Sequence, residues 1–283
     1  MVLLSILVSI GTHAQTGPVN PFDTTIYGRN PQAGRFVQIR GFRMYYETYG
    51  QGEPLLIIHG NGGSINNFLY QIPYFSTHYK VILADSRAHG RSTDTGDSLS
   101  YEMMTDDLNA LLDTLKVKQA NVIGWSDGGI NGLLLAIRHP EKVGKLAITG
   151  ANLWPDSTAV DPWGSRWAKG LNDEADAQYK TGKLDQQAKN GRKVIHLLSY
   201  EPHITIAQLK SITCPTLVIG GDHDIILAEH TLLIAKNIPR SYCWILPNSG
   251  HSTPIYYKDD FNRIVHDFFS KPFRKIEGER LLQ

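Results

Sequence analysis

Short apolar runs without polar alternation recur along the chain, and stretches with helical spacing separate them. Such runs are typical of strands buried on both faces of a sheet. They cover residues 55–58, 81–84, 122–124, 146–148, 217–219 and 244–246. The clearest helical spacing is in Met104, Leu108, Leu111, Leu112 and Leu115, and in Ile130, Leu133, Leu134 and Ile137, which His139-Pro140 closes. The alternation predicts a doubly wound, mainly parallel sheet of the α/β class.

Two further strands are predicted ahead of these runs. Residues 36–39 and 44–48 are β-type segments that flank a turn signal at Arg40-Gly41, which predicts an antiparallel hairpin at one sheet edge. The sheet then has eight strands. Residues 15–34 are rich in Gly, Pro and Asn and lack a hydrophobic period, so they are expected to form an extended N-terminal arm.

One connection is too long for a single crossover. Roughly sixty residues separate Ile148 from Leu217, where most connections are much shorter. We predict a small helical cap over residues 153–207, inserted into a core made of residues 35–152 and 208–272, with a C-terminal tail at 273–283. Trp154, Trp163 and Trp167 are candidates to shape a pocket beneath this cap.

The first fourteen residues have the character of a targeting segment. Residues 2–10 are an apolar run, followed by small and polar residues up to Ala14. This predicts a signal peptide at 1–14 and export to the periplasm or medium; a cytoplasmic chain with an apolar first strand is the alternative. The run is shorter than the ~20 residues of a membrane-spanning helix, so no stable membrane anchor is expected.

Charge and cysteine content narrow the partners. Lys plus Arg (28) nearly balances Asp plus Glu (27), which argues against nucleic acid as a partner and favours a small-molecule substrate.

Cys214 and Cys243 each begin a strand-like run; buried unpaired thiols are favoured, and a disulfide between neighbouring strands is the alternative. Neither has a partner at zinc spacing, and no metal or cofactor is predicted. The pattern carries no prediction of oligomeric state.

The segment Gly124-Trp-Ser126-Asp-Gly128 fits Gly-x-Ser-x-Gly between a buried strand and a helix. A serine on such a turn holds strained backbone angles, and the flanking glycines allow strand and helix to approach closely. The turn exposes the hydroxyl near a helix N-terminus that favours developing negative charge. Ser126 is therefore the candidate nucleophile, and Trp125 beside it is a candidate for substrate contact.

A serine hydroxyl needs a neighbouring base, and His251 is the best placed of the 11 histidines. It lies in a loop just past the last buried strand, at the sheet edge where Ser126 is expected. His59 and His89 lie in turns and are expected to be structural.

The acid that orients this base should follow the preceding strand, where Gly221-Asp-His-Asp224 stands. Asp224 is favoured over Asp222, because the acid must turn back toward the histidine from a loop that has already left the strand. Asp222 is the alternative acid, or a residue that braces the turn. A metal site in this stretch is disfavoured, because oxygen-rich cages need more ligands.

Acyl transfer also needs donors for an oxyanion. The backbone N–H of Asp127 is one candidate. The other lies in His59-Gly-Asn-Gly-Gly63, where Asn61 is favoured over Gly62. Gly62 is also a candidate for substrate contact, since it lets a ligand approach the backbone, although a purely structural glycine-rich turn would look the same.

With these motifs in place, residues 35–270 resemble the α/β-hydrolase superfamily. His59-Gly60 is similar to its oxyanion-loop dipeptide, residues 85–92 to its Asp-x-Arg-x-x-Gly-x-Ser turn, and serine, acid and histidine follow in its chain order. The resemblance implies a serine hydrolase with a Ser126–His251–Asp224 triad that cleaves a small ester through an acyl-enzyme. Alternatives on the same fold are a meta-cleavage carbon–carbon hydrolase and a non-catalytic ligand receptor.

Within the superfamily, Gly124-Trp-Ser-Asp-Gly-Gly129 and Gly150-Ala-Asn152 resemble the valacyclovir hydrolase (biphenyl hydrolase-like) group, whose members cleave α-amino acid esters. That resemblance implies that the Asp127 side chain binds the amino group of the substrate. A helix N-terminal carboxylate favoured by the helix dipole is the equal alternative.

Overall fold

A computed structural model describes residues 22, 25–182, 184–278 and 281. Within them an eight-stranded sheet runs in the order β1-β2-β4-β3-β5-β6-β7-β8. The strands are β1 (Gly34–Ile39), β2 (Phe42–Tyr49), β3 (Glu53–Ile58), β4 (Tyr79–Ala84), β5 (Ala120–Trp125), β6 (Val143–Thr149), β7 (Thr216–Gly221) and β8 (Ser241–Leu246). The β1–β2 hairpin and the β2–β4 pair are antiparallel, and all other pairs are parallel. The predicted fold class is confirmed.

Helices connect these strands. They are α1 (Gln71–Phe75), α2 (Tyr101–Thr114), α3 (Asp127–Arg138), α4 (Pro162–Tyr179), α5 (Gln186–Tyr200), α6 (Ile206–Lys210), α7 (Ala228–Asn237), α8 (Thr253–Tyr256) and α9 (Lys258–Ser270). Helices α2 and α3 coincide with the two predicted helical patterns. The long connection between β6 and β7 contains α4, α5 and α6.

The apolar runs form strands because successive side chains point to opposite faces and both faces are covered. On β3, Leu56 and Ile58 join one buried cluster, which includes the apolar sides of α2 and α3. Leu55 and Ile57 join a second cluster on the other face, with α1 and α9. Strand β8 departs from the predicted two-sided burial: of its six residues only Leu246 is buried, because β8 is the outermost strand.

The described part of the N-terminal arm, residues 25–33, forms turns and is not extended. The cause is Glu47 on β2, which is fully buried. Its carboxylate accepts hydrogen bonds from the backbone N–H groups of Gly28 and Asn30, each at 2.9 Å, and from the hydroxyls of Tyr45 and Tyr49, each at 2.7 Å. The arm is thereby folded back against the sheet.

Two other predictions concern the termini and thiols. The predicted signal peptide at 1–14 lies outside the described residues, and the export prediction stays untested. In the portion of the chain that is described, no helix combines the length and apolar character needed to cross a bilayer. Both cysteines are free thiols, as favoured. Cys214 is buried as predicted, but the prediction of burial is wrong for Cys243, which is exposed because it lies on the outermost strand.

Candidate active site

Ser126 stands at the sharp turn between β5 and α3. Its backbone has φ 58° and ψ −123°, a left-handed conformation that costs energy in a residue other than glycine. The turn closes because its neighbours lack side chains: a Cβ at Gly124 would lie 2.2 Å from the carbonyl oxygen of Gly128, and one at Gly128 would lie 2.0 Å from that of Ile58. The Gly-x-Ser-x-Gly spacing is therefore a steric requirement of this turn.

The structure brings Ser126, His251 and Asp224 into one hydrogen-bonded row. The Nε2 atom of His251 lies 2.9 Å from Ser126 Oγ, and its Nδ1 atom lies 2.6 Å from Asp224 Oδ1. Asp224 Oδ1 also accepts the backbone N–H of Ile226 at 3.0 Å, which fixes the carboxylate. The Asp224 side chain is fully shielded from solvent. This arrangement can move a proton from a serine hydroxyl to an imidazole held in one tautomer.

The charges around His251 favour its protonated form. Burial alone would lower the pKa of His251, but the Asp224 charge, the Asp224 hydrogen bond and the nearby Asp127 charge together raise it above its ordinary value. The imidazole is therefore a stronger base than a free histidine.

The competing acid, Asp222, has a different task. Its Oδ1 accepts the backbone N–H of Ser249 at 3.0 Å and lies 2.8 Å from Nδ1 of His223. The hydrogen bond from His223 and those from backbone N–H groups lower the pKa of Asp222 to about 2. Asp222 braces the loop that carries His251, which is the alternative considered for it.

The two other candidate histidines are held in the fold. His59 Nε2 accepts the backbone N–H of Ser86 at 2.9 Å, so its Nδ1–H donates to the carbonyl of Gly60 at 2.8 Å. Burial, with neighbouring His89, lowers the pKa of His59 to about 3. Burial likewise lowers the pKa of His89 to about 4. Both are neutral and structural at physiological pH.

The loop after β3 lies directly against the nucleophile. A Cβ added at Gly60 would be 3.0 Å from Ser126 Cβ and 3.6 Å from Ser126 Oγ. The next residues, Asn61 and Gly62, are the predicted oxyanion donor and substrate contact, and Gly62 adopts φ 61°. The Asn61 side chain reaches the first turn of α3, where its Nδ2 donates to Asp127 Oδ2 at 2.8 Å.

Asp127 is the first residue of α3 and is only 3% exposed. Its carboxylate accepts hydrogen bonds from the side chains of Asn61 and Tyr101. Burial raises the pKa of Asp127 to about 6, against the opposing effect of these two donors and of His251. The carboxylate predicted to bind a substrate amino group is thus already held by two side chains of the protein.

Trp125, the predicted substrate contact beside the nucleophile, is mostly buried and is 9% exposed. Its indole belongs to the buried cluster on the α1 and α9 side of the sheet and packs edge-on against Phe68. The indole Nε1–H donates to the backbone carbonyl of His251 at 2.9 Å. Trp125 therefore contacts the loop that carries His251 from the α1 and α9 side of the sheet, and its substrate contact stays a prediction.

Gly150 is a site residue that residue chemistry did not single out. It follows β6 with φ 64°, and an added Cβ would lie 2.8 Å from His251 Cε1 and 2.9 Å from Nδ1. The imidazole therefore occupies the space that any other residue at 150 would fill. The available signal was its place at the end of β6 in Gly150-Ala-Asn152, a motif noted only for its resemblance.

Comparison with known proteins agrees with the fold described above. A family model described as "alpha/beta hydrolase fold" matches residues 53–178, which include β3 to β6, the serine turn and α4. The chain is 26% identical over 280 residues to serine hydrolase BPHL of Mus musculus, covering 94% of each chain. The chain therefore has the α/β-hydrolase fold, and its sequence is similar to hydrolases of that fold. This α/β hydrolase is also 28% identical over 275 residues to 2-hydroxymuconate semialdehyde hydrolase of Pseudomonas sp. (strain CF600), covering 86% of this chain and 95% of that one.

A solved structure gives the same fold. This α/β hydrolase superposes on a thermophilic esterase from Thermogutta terrifontis with a TM-score of 0.70, at 21% identity and covering 85% of this chain and 100% of that one. At this identity the likeness speaks for the shared architecture alone. The bond that this hydrolase cleaves and its substrate are therefore questions for its own site.

Proposed function

We propose that this hydrolase cleaves a small carboxylic ester through an acyl-enzyme, with Ser126 as nucleophile, His251 as general base and Asp224 as the residue that orients the base. The observation that carries the proposal is the row of contacts at 2.9 Å and 2.6 Å that joins the three side chains. The strained turn at Ser126 supports it, since such conformations persist where the surrounding structure imposes them and cluster at functional sites.

Each proton in the proposed reaction has a carrier. Ser126 Oγ attacks the ester carbonyl carbon while His251 Nε2 takes its proton, and the tetrahedral oxyanion is held by the backbone N–H groups of Asp127 and Asn61. The alcohol leaves with the proton from His251. Water then attacks the acyl-enzyme with His251 again as base, which releases the acid and restores Ser126.

Turnover of p-nitrophenyl acetate tests the three roles. Ser126→Ala should lower kcat by at least about 10³-fold, and Asp224→Asn, which spoils the tautomer of His251, by about 10⁴-fold. Asp222→Asn is the matched control, because Asp222 braces the loop without touching the imidazole, and it should retain most activity. Equal losses for the two aspartate variants would contradict the assignment of the acid.

A carbon–carbon hydrolase is the second candidate, because the chain aligns along most of its length with the 2-hydroxymuconate semialdehyde hydrolase described above. The same serine and histidine would then act on a vinylogous diketone. A panel that sets p-nitrophenyl esters against a meta-ring-cleavage product separates the two. We expect kcat/KM to be higher for the esters, and the reverse order would favour carbon–carbon cleavage.

An α-amino acid ester is the narrower substrate class that the resemblance of residues 124–129 and 150–152 suggests. It would require Asp127 to accept an ammonium group in addition to its present donors, Asn61 and Tyr101. Benzyl alaninate and benzyl propionate differ only in the amino group, so their kcat/KM ratio measures any such preference directly. A ratio near one would exclude amino-group recognition.

A further inference from the structure

The side chain of Asn61 connects three parts of the molecule. Its single Nδ2 group donates to Asp127 Oδ2 at 2.8 Å and to the backbone carbonyl of Val194 at 2.9 Å. Asn61 belongs to the loop after β3, Asp127 to the first turn of α3, and Val194 to the cap helix α5. Both N–H donors of one amide are therefore used, one toward the serine turn and one toward the cap.

The partners of Asn61 are themselves fixed. Asp127 is buried and also accepts a hydrogen bond from Tyr101, which is 1% exposed on α2. Its backbone carbonyl accepts Asn131 Nδ2 at 2.9 Å one turn further along α3. A buried carboxylate that accepts hydrogen bonds from two side chains is held in one place, because losing either bond would remove part of the compensation for its buried charge.

The cap end of the connection is equally well anchored. Lys193, the residue before Val194, is buried, and its ammonium contacts the Asp94 carboxylate and donates to the carbonyl of Gly96 at 2.6 Å. Arg87 reaches the same Asp94 at 3.4 Å. Two consecutive residues of α5 thus bind the core, one through its side chain and the next through its carbonyl.

We propose that the Asn61–Asp127 side-chain hydrogen bond, oriented by the Val194 carbonyl of the cap, sets the spacing of the two oxyanion donors. It rests on the proposed function, in which those donors are the backbone N–H groups of these same two residues. The loop after β3 and the turn before α3 come from different parts of the chain, and this bond is a direct link between them. Asn61 and Asp127 are accordingly positioning residues through their side chains.

A consequence for specificity follows from the same contacts. The Asp127 carboxylate serves the protein and is not reserved for a substrate ammonium group. Replacing it should therefore affect esters with and without an α-amino group alike. If Asp127 bound the ammonium group, its replacement would instead raise KM for the amino ester alone.

The test measures kcat and KM for benzyl alaninate and benzyl propionate in five variants, each normalised to the fraction of serine that a fluorophosphonate labels. Asn61→Ala and Asp127→Ala keep both backbone N–H groups but lose the link, and each should lower kcat by about 10- to 100-fold on both esters with little change in KM. Asp127→Asn keeps an acceptor for Asn61 and should therefore lose less kcat than Asp127→Ala at the pH of the plateau. The double variant Asn61→Ala/Asp127→Ala should be no worse than the poorer single variant, since both remove one contact. Asn66→Ala is the matched control, because Asn66 stands nearby in the same connection and donates to the carbonyl of Phe22 instead.

The possible results distinguish failure of this inference from failure of the proposed function. Wild-type kcat per labelled serine in Asn61→Ala would overturn the inference alone, as would a loss in Asp127→Asn confined to the amino ester. A lower melting temperature with unchanged kcat would also overturn it, since it would show a merely structural contact. If a fluorophosphonate did not label the wild-type protein and neither ester were turned over, the proposed function and this inference would both be wrong.

Discussion

Any side chain at position 150 would compete with the imidazole of His251 for the same space. Gly150→Ala adds a methyl group that would lie 2.8 Å from His251 Cε1, in a backbone conformation with φ 64°. We expect kcat/KM to fall by about 10²-fold, because a displacement of the base of about 1 Å misaligns proton transfer. Gly170→Ala is the control: it lies in α4 with open space around it, and its activity should equal that of the wild type. An active Gly150→Ala protein would show that His251 does not need its observed position.

The base also sets the pH dependence of the reaction. A protonated imidazole cannot accept the serine proton, so activity is lost as the pH falls through the pKa of His251. Because Asp224 and Asp127 raise that pKa, the midpoint of the kcat/KM profile should lie above the ordinary histidine value of about 6.5. Asp127→Asn removes one of the charges, and its midpoint should move to lower pH. A midpoint that stays in place or rises in this variant would contradict the electrostatic argument.

Sequence predicted the residues whose chemistry or steric need is local. Ser126, its two glycines and His251 stand at the ends of strands, and strand ends are readable from apolar runs. Choosing Asp224 over Asp222 already needed a geometric argument about one loop. The placement of Trp125 beneath the His251 loop and of Asn61 against Asp127 depends on residues more than sixty positions apart, and no local pattern encodes such contacts.

At the scale of elements, the cap helix α5 is fastened to the core by a buried charge. Lys193→Met should lower the free energy of unfolding by about 3 kcal/mol, because removing one partner of a buried ion pair leaves the Asp94 carboxylate incompletely compensated. Urea unfolding followed by fluorescence measures it. Lys189→Met, four residues earlier on the same helix at an exposed position, should be within experimental error of wild type. Equal stability of the two variants would rule out a fastening role for Lys193.

The strands and the helices α2 and α3 were predictable because their apolar positions follow the sheet and helix periods without interruption. The connection between β6 and β7 was predictable only as an insertion of helices, since the docking of those helices depends on single polar contacts such as that of Lys193. Residues 25–33 of the predicted arm form turns instead of an extended segment, because the glutamate that holds them lies 19 residues beyond Gly28. Periodicity reports which faces are buried and not which long-range contacts bend an irregular segment.

At the scale of the whole molecule, the fold is held by its two apolar clusters without a bridge between Cys214 and Cys243. A reductant should therefore leave the melting temperature unchanged. A thiol reagent at neutral pH should modify Cys243 in the native protein and both cysteines after denaturation, because Cys243 is exposed and Cys214 is buried. Burial raises the pKa of both thiols, that of Cys214 to about 11. A melting temperature that drops on reduction would demonstrate a disulfide and contradict the free thiols.

The central claim for the molecule is that one serine, activated by His251, performs the chemistry. Labelling with a fluorophosphonate followed by peptide mass spectrometry tests it most directly. The wild-type protein should carry a single adduct on Ser126, formed more slowly as the pH falls, and Ser126→Ala should carry none. An unlabelled wild type, as expected of a non-catalytic receptor on this fold, or an adduct on another residue would contradict the claim.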